Sequence, residues 1–221
     1  EVWGSETGPC LTLSACAFPE PFRDEQWAYT QALCDLLGAH LWQGCTEEDL
    51  QALGEGGEHA RCNLVIFADG CHPLLRHLLS RYSTPGQAGA SSILVAQRPM
   101  WPLERVLLVI CGGKEDDAVV DWAVRLAGPS AAAITALAVV PPMPAMYCGL
   151  QRMEHSVAAL LASDTALGRK MHHVARRLAE SNVDSTLCLR QGAPDQQICR
   201  KAIEGDYDLI IMATRPCRWW L

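Results

Sequence analysis

The sequence predicts an α/β protein made of two unequal units with parallel sheets, and three observations carry that prediction. Short continuous apolar runs alternate with segments of helical periodicity. A run without polar alternation is how a strand buried on both faces reads, and strand–helix alternation is the pattern of a layered α/β sheet. The third observation is that the chain repeats itself. Leu13-Ser14-Ala15-Cys16 corresponds to Leu108-Val109-Ile110-Cys111. Trp-Ala follows each cysteine by eleven residues, at Trp27-Ala28 and Trp122-Ala123, so the offset is 95 throughout. Asn63-Leu64-Val65-Ile66-Phe67-Ala68 then matches Asp208-Leu209-Ile210-Ile211-Met212-Ala213 at an offset of 145. The second copy therefore holds about fifty residues more between these landmarks, mostly 143–185.

Taken in order, the second copy reads as a strand at 105–110, a helix at 115–126 and a strand at 133–139. Pro141-Pro142 breaks the chain into a loop. One long helix is expected over 154–181, from Val157, Leu160, Leu161, Leu167, Met171, Val174 and Leu178 at near-helical spacing. A strand at 185–190, a helix at 195–204 and a strand at 208–212 complete it. The first copy reads as strand 11–15, helix 24–37, strand 39–44, short helix 47–53, strand 63–67, helix 73–81 and strand 92–96. It has lost a helix and a strand relative to the second. Residues 54–57 form a glycine-rich loop, and Pro99 and Pro102 mark the boundary between the copies. The domains are thus 1–98 and 104–221.

Composition excludes several classes. The 221 residues are 49% hydrophobic and 19% charged, a globular balance. Net charge is −7, from 25 acidic and 18 basic side chains. Without a basic cluster the chain is unsuited to neutralising nucleic-acid phosphates or to holding anionic lipid. The longest apolar run, 131–140, is about half of the ~20 residues a membrane-spanning helix requires. Residues 1–9 are acidic and unlike a signal peptide. The first residue is not Met, as in a processed or cloned piece. Eleven cysteines are present and no two have C-x-x-C spacing, which argues against a zinc ribbon or a thioredoxin-type pair. They read as free thiols in a reducing cytoplasm.

Residues 189–215 carry Gly192-Ala193-Pro194-Asp195, a helix, and Tyr207-Asp208-Leu209-Ile210-Ile211-Met212-Ala213-Thr214-Arg215. This stretch resembles the universal stress protein family, and with both copies counted the resemblance extends over nearly the whole chain. It implies a Rossmann-like unit, of the adenine nucleotide alpha hydrolase-like type, with strand order 3-2-1-4-5. In ATP-binding members the nucleotide lies over the carboxyl ends of the strands. An Asp follows the first strand and a loop of pattern G-x-x-G-x9-G-[S/T] follows the fourth. Here the Asp position is Cys16 in one copy and Cys111 in the other. The first loop glycine falls on Ala68 and Ala213, the second on Cys71 and Pro216, and a proline removes a backbone donor. In the first copy Asp69 lies in the loop, and the last glycine falls on Arg81 by strict count or near Leu79 and Ser80. The second copy stops at Leu221 before any fifth strand, and Arg218-Trp219-Trp220-Leu221 reads as a truncated end.

The resemblance therefore implies a degenerate tandem universal stress protein module, cytoplasmic and dimeric, acting in stress response or regulation through dimerisation or a protein partner. ATP binding would be weak or absent. The alternative is a true adenine-nucleotide binder, with a site of backbone and apolar contacts at Ile110, Cys111, Gly112, Gly113, Val139, Ala213 and Thr214. A third reading comes from Cys111-Gly112-Gly113-Lys114, which looks like the pyrophosphate loop of the PP-loop ATP pyrophosphatases. There Glu115-Asp116 stand where Asp-Ser would be, and two acids oppose a phosphate. The bland counterpart is a strand-to-helix turn using glycine for its backbone freedom. No catalytic residue and no metal ligand is assigned: His172-His173 are adjacent on a helix and point apart, as do Cys71-His72. Arg169, Lys170, Arg176 and Arg177 make a basic helix face, read as solvated, or as a surface for an acidic partner. Trp27 and Trp122 read as anchors of helix on sheet.

Overall fold

The structure is a computed structural model, and it describes residues 10–14, 23–37, 40–44, 62–67, 92–95, 101–140 and 156–213. The helices expected at 47–53 and 73–81, the loop at 54–57, the first copy's phosphate-loop positions and Thr214 lie outside the described residues. The chain divides into two compact units, Glu1–Trp101 and Pro102–Leu221.

The first unit holds β1 (Cys10–Ser14), α1 (Arg23–Leu37), β2 (His40–Gly44), β3 (Cys62–Phe67) and β4 (Ser92–Val95). Its strands lie in the order β2-β1-β3-β4, and every neighbouring pair is parallel. Parallel neighbours need a crossover, which α1 supplies between β1 and β2. Tyr29, Thr30, Leu33 and Cys34 form the buried stripe of α1, at the i, i+4 spacing of one helix face. Tyr29 meets Trp101 edge to face, with ring centroids 6.2 Å apart.

The second unit holds β5 (Arg105–Ile110), α2 (Asp116–Ser130), β6 (Ala133–Val140), α3 (Val157–Ala162), α4 (Ala166–Glu180), β7 (Ser185–Gln191), α5 (Pro194–Gly205) and β8 (Leu209–Met212). Its sheet is parallel in the order β7-β6-β5-β8. Counted within the unit this is 3-2-1-4. β5 and β6 are central and almost wholly buried. Alternation along them separates two cores. Leu107, Val109, Leu137 and Val139 pack on one face with Ile198 of α5. Residues of the opposite parity, including Leu108, Ile110, Ile134 and Ala136, are equally buried. Helices α2 and α4 pack on each other, and supply Val119, Val120, Ala123, Met171, Val174 and Leu178 as buried side chains.

Asp208 explains its place in the motif that carried the family resemblance. Its carboxylate accepts the backbone N–H groups of Glu104 and Arg105 at 2.8 and 2.9 Å, and its own N–H donates to the Arg105 carbonyl. One side chain thus fixes the start of β5 against β8.

Three expectations are revised. The single helix over 154–181 is two helices. Ser156 caps α3 by accepting the Ala159 N–H at 3.0 Å, and Thr165 caps α4 by accepting the Gly168 N–H at 3.0 Å. Ser163 between them bonds the Leu160 carbonyl and the Thr165 hydroxyl. Hydroxyl side chains that offer the backbone this alternative end one helix and begin the next. The helix expected to end at 126 continues to Ser130, with Pro129 in its last turn, and the Ser130 hydroxyl donates to the Leu126 carbonyl at 2.6 Å. Trp122 is half-buried, and the fully buried residue at that point of α2 is the neighbouring Ala123.

Candidate functional site

In open parallel sheets ligands bind outside the carboxyl ends of the strands, where loops lead to helix N-termini. The second unit brings most of the sequence-predicted site residues to that end. Ile110 closes β5 and pairs with Ala138, which puts Val139 of β6 beside Cys111. Met212, the last residue of β8, pairs with Val109, so Ala213 emerges next to the same turn. Gly112 and Gly113 form the turn itself. Register alone gathers Ile110, Cys111, Gly112, Gly113, Val139 and Ala213.

Proximity does not make them ligand contacts. Ile110 is 1% exposed and Val139 3%. Val139 is spent in the core beneath α5, and Cys111 packs against that same core. Cys111 is also disulfide-bonded, which departs from the expectation of free thiols throughout. Cys34, Cys188 and Cys199 are not disulfide-bonded.

The residue that organises the turn was noticed in the sequence only as an unfavourable acid. Asp116 stands at the start of α2 and is 0% exposed. Its carboxylate folds back over the turn, accepting the Gly112 N–H at 2.7 Å and the Cys111 N–H at 3.2 Å to each oxygen. Gly112 holds φ at 81°, the left-handed region that costs a side-chain-bearing residue about 1–2 kcal/mol. That conformation aims successive N–H groups at one point, the concave amide arrangement that attracts anions. Here the anion is the chain's own. Burial pushes the Asp116 carboxyl above its ordinary range, and the nearby Asp117 adds to this. The Cys111 and Gly112 N–H groups and the Lys170 ammonium oppose the shift. Spacing could have flagged Asp116: a short acid four residues after a glycine, at a helix start, is placed to reach back as a cap.

Beside the turn, Asp117 Oδ1 receives Lys170 Nζ at 3.0 Å and lies 3.4 Å from His173 Nε2, while Arg177 bonds Asp121 one turn further along. These pairs lace α2 to α4. His172, next in sequence to His173, is exposed. Among the described residues no group of three or more His, Cys, Asp or Glu side chains is placed to hold a metal ion, and no helix is long and apolar enough to cross a membrane.

A parallel sheet in the order 3-2-1-4, flanked by helices and turning through a glycine pair after its first strand, defines a Rossmann-like α/β protein of the nucleotide-binding type. The family model of the universal stress protein family matches residues 102–219. That is more than half of the chain, and the chain belongs to this family. A protein from Pseudomonas aeruginosa UCBPP-PA14, assigned as a universal stress protein, is similar over 96% of this chain and 85% of its own, at 14% identity and a TM-score of 0.51. A universal stress protein from Archaeoglobus fulgidus DSM 4304 is 14% identical over 85% of this chain and 64% of its own, with a TM-score of 0.49. UspA from Lactobacillus plantarum is 19% identical over 49% of this chain and 75% of its own, with a TM-score of 0.39. At such identities the first likeness concerns fold alone. No curated protein matches the chain significantly.

Proposed function

We propose that the chain is a tandem universal stress protein module, with one unit at 1–98 and one at 104–221. It acts in stress response or regulation by dimerising or binding a protein partner, with weak or no ATP binding. The observation that carries this reading is the Asp116 carboxylate seated on the Cys111 and Gly112 N–H groups. A phosphate entering that turn would have to displace a buried acid and meet its charge. The same contact counts against pyrophosphate-releasing chemistry at Gly112, Gly113 and Lys114. Ala213 at a position where ATP-binding members carry glycine points the same way.

Dimerisation fits the far edge of the second sheet. Among the described residues β8 pairs with β5 alone, and Ile210 and Met212 on β8 and Ile203 on α5 are exposed, Ile203 at 82%. Apolar side chains on an edge strand favour association. Cys34, Cys188 and Cys199, which lie outside any disulfide, fit the cytoplasm, whereas the Cys111 disulfide does not.

What favours the nucleotide reading is the gathering of Ile110, Val139 and Ala213 at one end of the sheet. Calorimetric titration with Mg-ATP, beside light scattering of the same sample, decides between the two. The proposal expects a dimer or larger assembly and no binding at micromolar strength. Micromolar binding by a monomer would replace it with the nucleotide reading.

A further inference from the structure

We propose that the pocket between the β5–α2 turn and the first two turns of α4 binds a phosphate group of a small molecule. The pocket is open and has a volume of about 480 Å³, within the range of small-molecule sites. The Gly112-Gly113 backbone forms one wall, and Lys114, Arg169, Lys170 and His173 converge on it from two elements. Asp117 is the one acid in the lining, against three permanent cations.

Those cations are available to a ligand to different degrees. Lys114 is exposed and has no ion pair among the described residues. Arg169 bonds the Asp164 carbonyl and its carboxylate, whose side chain is 94% exposed; an ion pair so open to water is weak and leaves the guanidinium available to a dianion. Lys170 is 14% exposed and held by Asp117 at 3.0 Å, so it supplies a fixed charge at the floor. A partly desolvated, positioned ammonium attracts a phosphate more strongly than one on a solvated surface.

The charge is local to this pocket and is not a stripe along α4. Further down the helix Arg176 bonds Glu180 at 2.7 Å and Arg177 bonds Asp121. An acidic protein face would need the stripe; one phosphate group needs only the concavity. The pocket also differs from the crevice closed by Asp116, because its positive charge comes from side chains and needs neither the Cys111 nor the Gly112 N–H.

Pyrophosphate titrated calorimetrically into the full chain, at constant ionic strength in chloride, tests the proposal. Saturable one-to-one binding is expected. Lys114→Glu and Arg169→Glu should each weaken it at least tenfold, and Arg176→Glu should change it less than twofold. Circular dichroism melts would establish that each variant is folded, and Lys114→Gln gives a milder second probe with an expected loss of several-fold. Absence of saturable binding overturns the proposal. So does binding that survives both pocket reversals, or an equal loss in Arg176→Glu. Binding of a glutamate-rich peptide in place of pyrophosphate would overturn it in favour of an acidic partner. Should Mg-ATP bind, loss of that binding in Lys114→Glu would assign it to this pocket and leave the sheet-end crevice unoccupied.

Discussion

At the scale of single residues, Asp116 is where environment decides chemistry. Its neighbour Glu115 is half-buried, while Asp116 is fully enclosed and takes two backbone N–H groups. Replacing it with Ala should cost about 1–3 kcal/mol in urea unfolding, because part-buried donors lose their acceptor. Its titration gives a second prediction. Burial raises the carboxyl pKa above its ordinary value of 3.8 in the folded state. Folding therefore favours the protonated form. The resulting stabilisation is complete below 3.8 and is lost as pH rises through the raised folded value. The stability of the wild type relative to Asp116→Asn should accordingly fall across that window, and a difference flat with pH would contradict the assignment. The sequence showed Glu115 and Asp116 as two equivalent acids. Nothing in their identity says which of the two reaches back over the turn to the Cys111 and Gly112 N–H groups; that depends on the helix starting at Asp116.

At the scale of elements, strands proved more legible than helix ends. A central parallel strand is apolar on both faces, so its pattern is independent of register, and 105–110 was read directly as β5. The division between α3 and α4 was hidden because Leu160, Leu161 and Leu167 keep a helix-like spacing across it. The signal lay in Ser163 and Thr165, whose hydroxyls bond the backbone at the joint. Gly168 shows why the joint is tight. A Cβ there would lie 2.7 Å from the Ser163 carbonyl oxygen and still nearer to that of Leu160. Gly168→Ala should therefore destabilise the protein by about 1–3 kcal/mol, the usual cost of overpacking, despite alanine's better helix propensity. Leu178→Ala, at a fully buried position near the end of α4, should cost about 2–5 kcal/mol. Denaturant unfolding of both variants would check the two values together, and a stabilised Gly168→Ala would mean that the joint yields.

At the scale of the whole molecule, each unit holds its own four-stranded parallel sheet. The first unit has β2-β1-β3-β4 and the second β7-β6-β5-β8. If β3 and β4 stand for the family's fourth and fifth strands, the first lacks the third strand. The internal repeat and the changed offset had pointed to a shorter first unit, since fifty additional residues suffice for a helix and a strand. The cysteine chemistry was less legible, because spacing cannot say which thiols meet. Native alkylation with mass detection should label Cys199 first, Cys34 only on unfolding, and Cys111 only after reduction. Labelling of Cys111 without reductant would contradict its disulfide. The Asp116 contact has a consequence for engineering. Placing glycine at position 213 and an acid at position 111 would leave the turn's donors engaged by Asp116. Building a nucleotide site at this turn must therefore begin at position 116, and the substitutions that look most natural in the sequence become productive only afterwards.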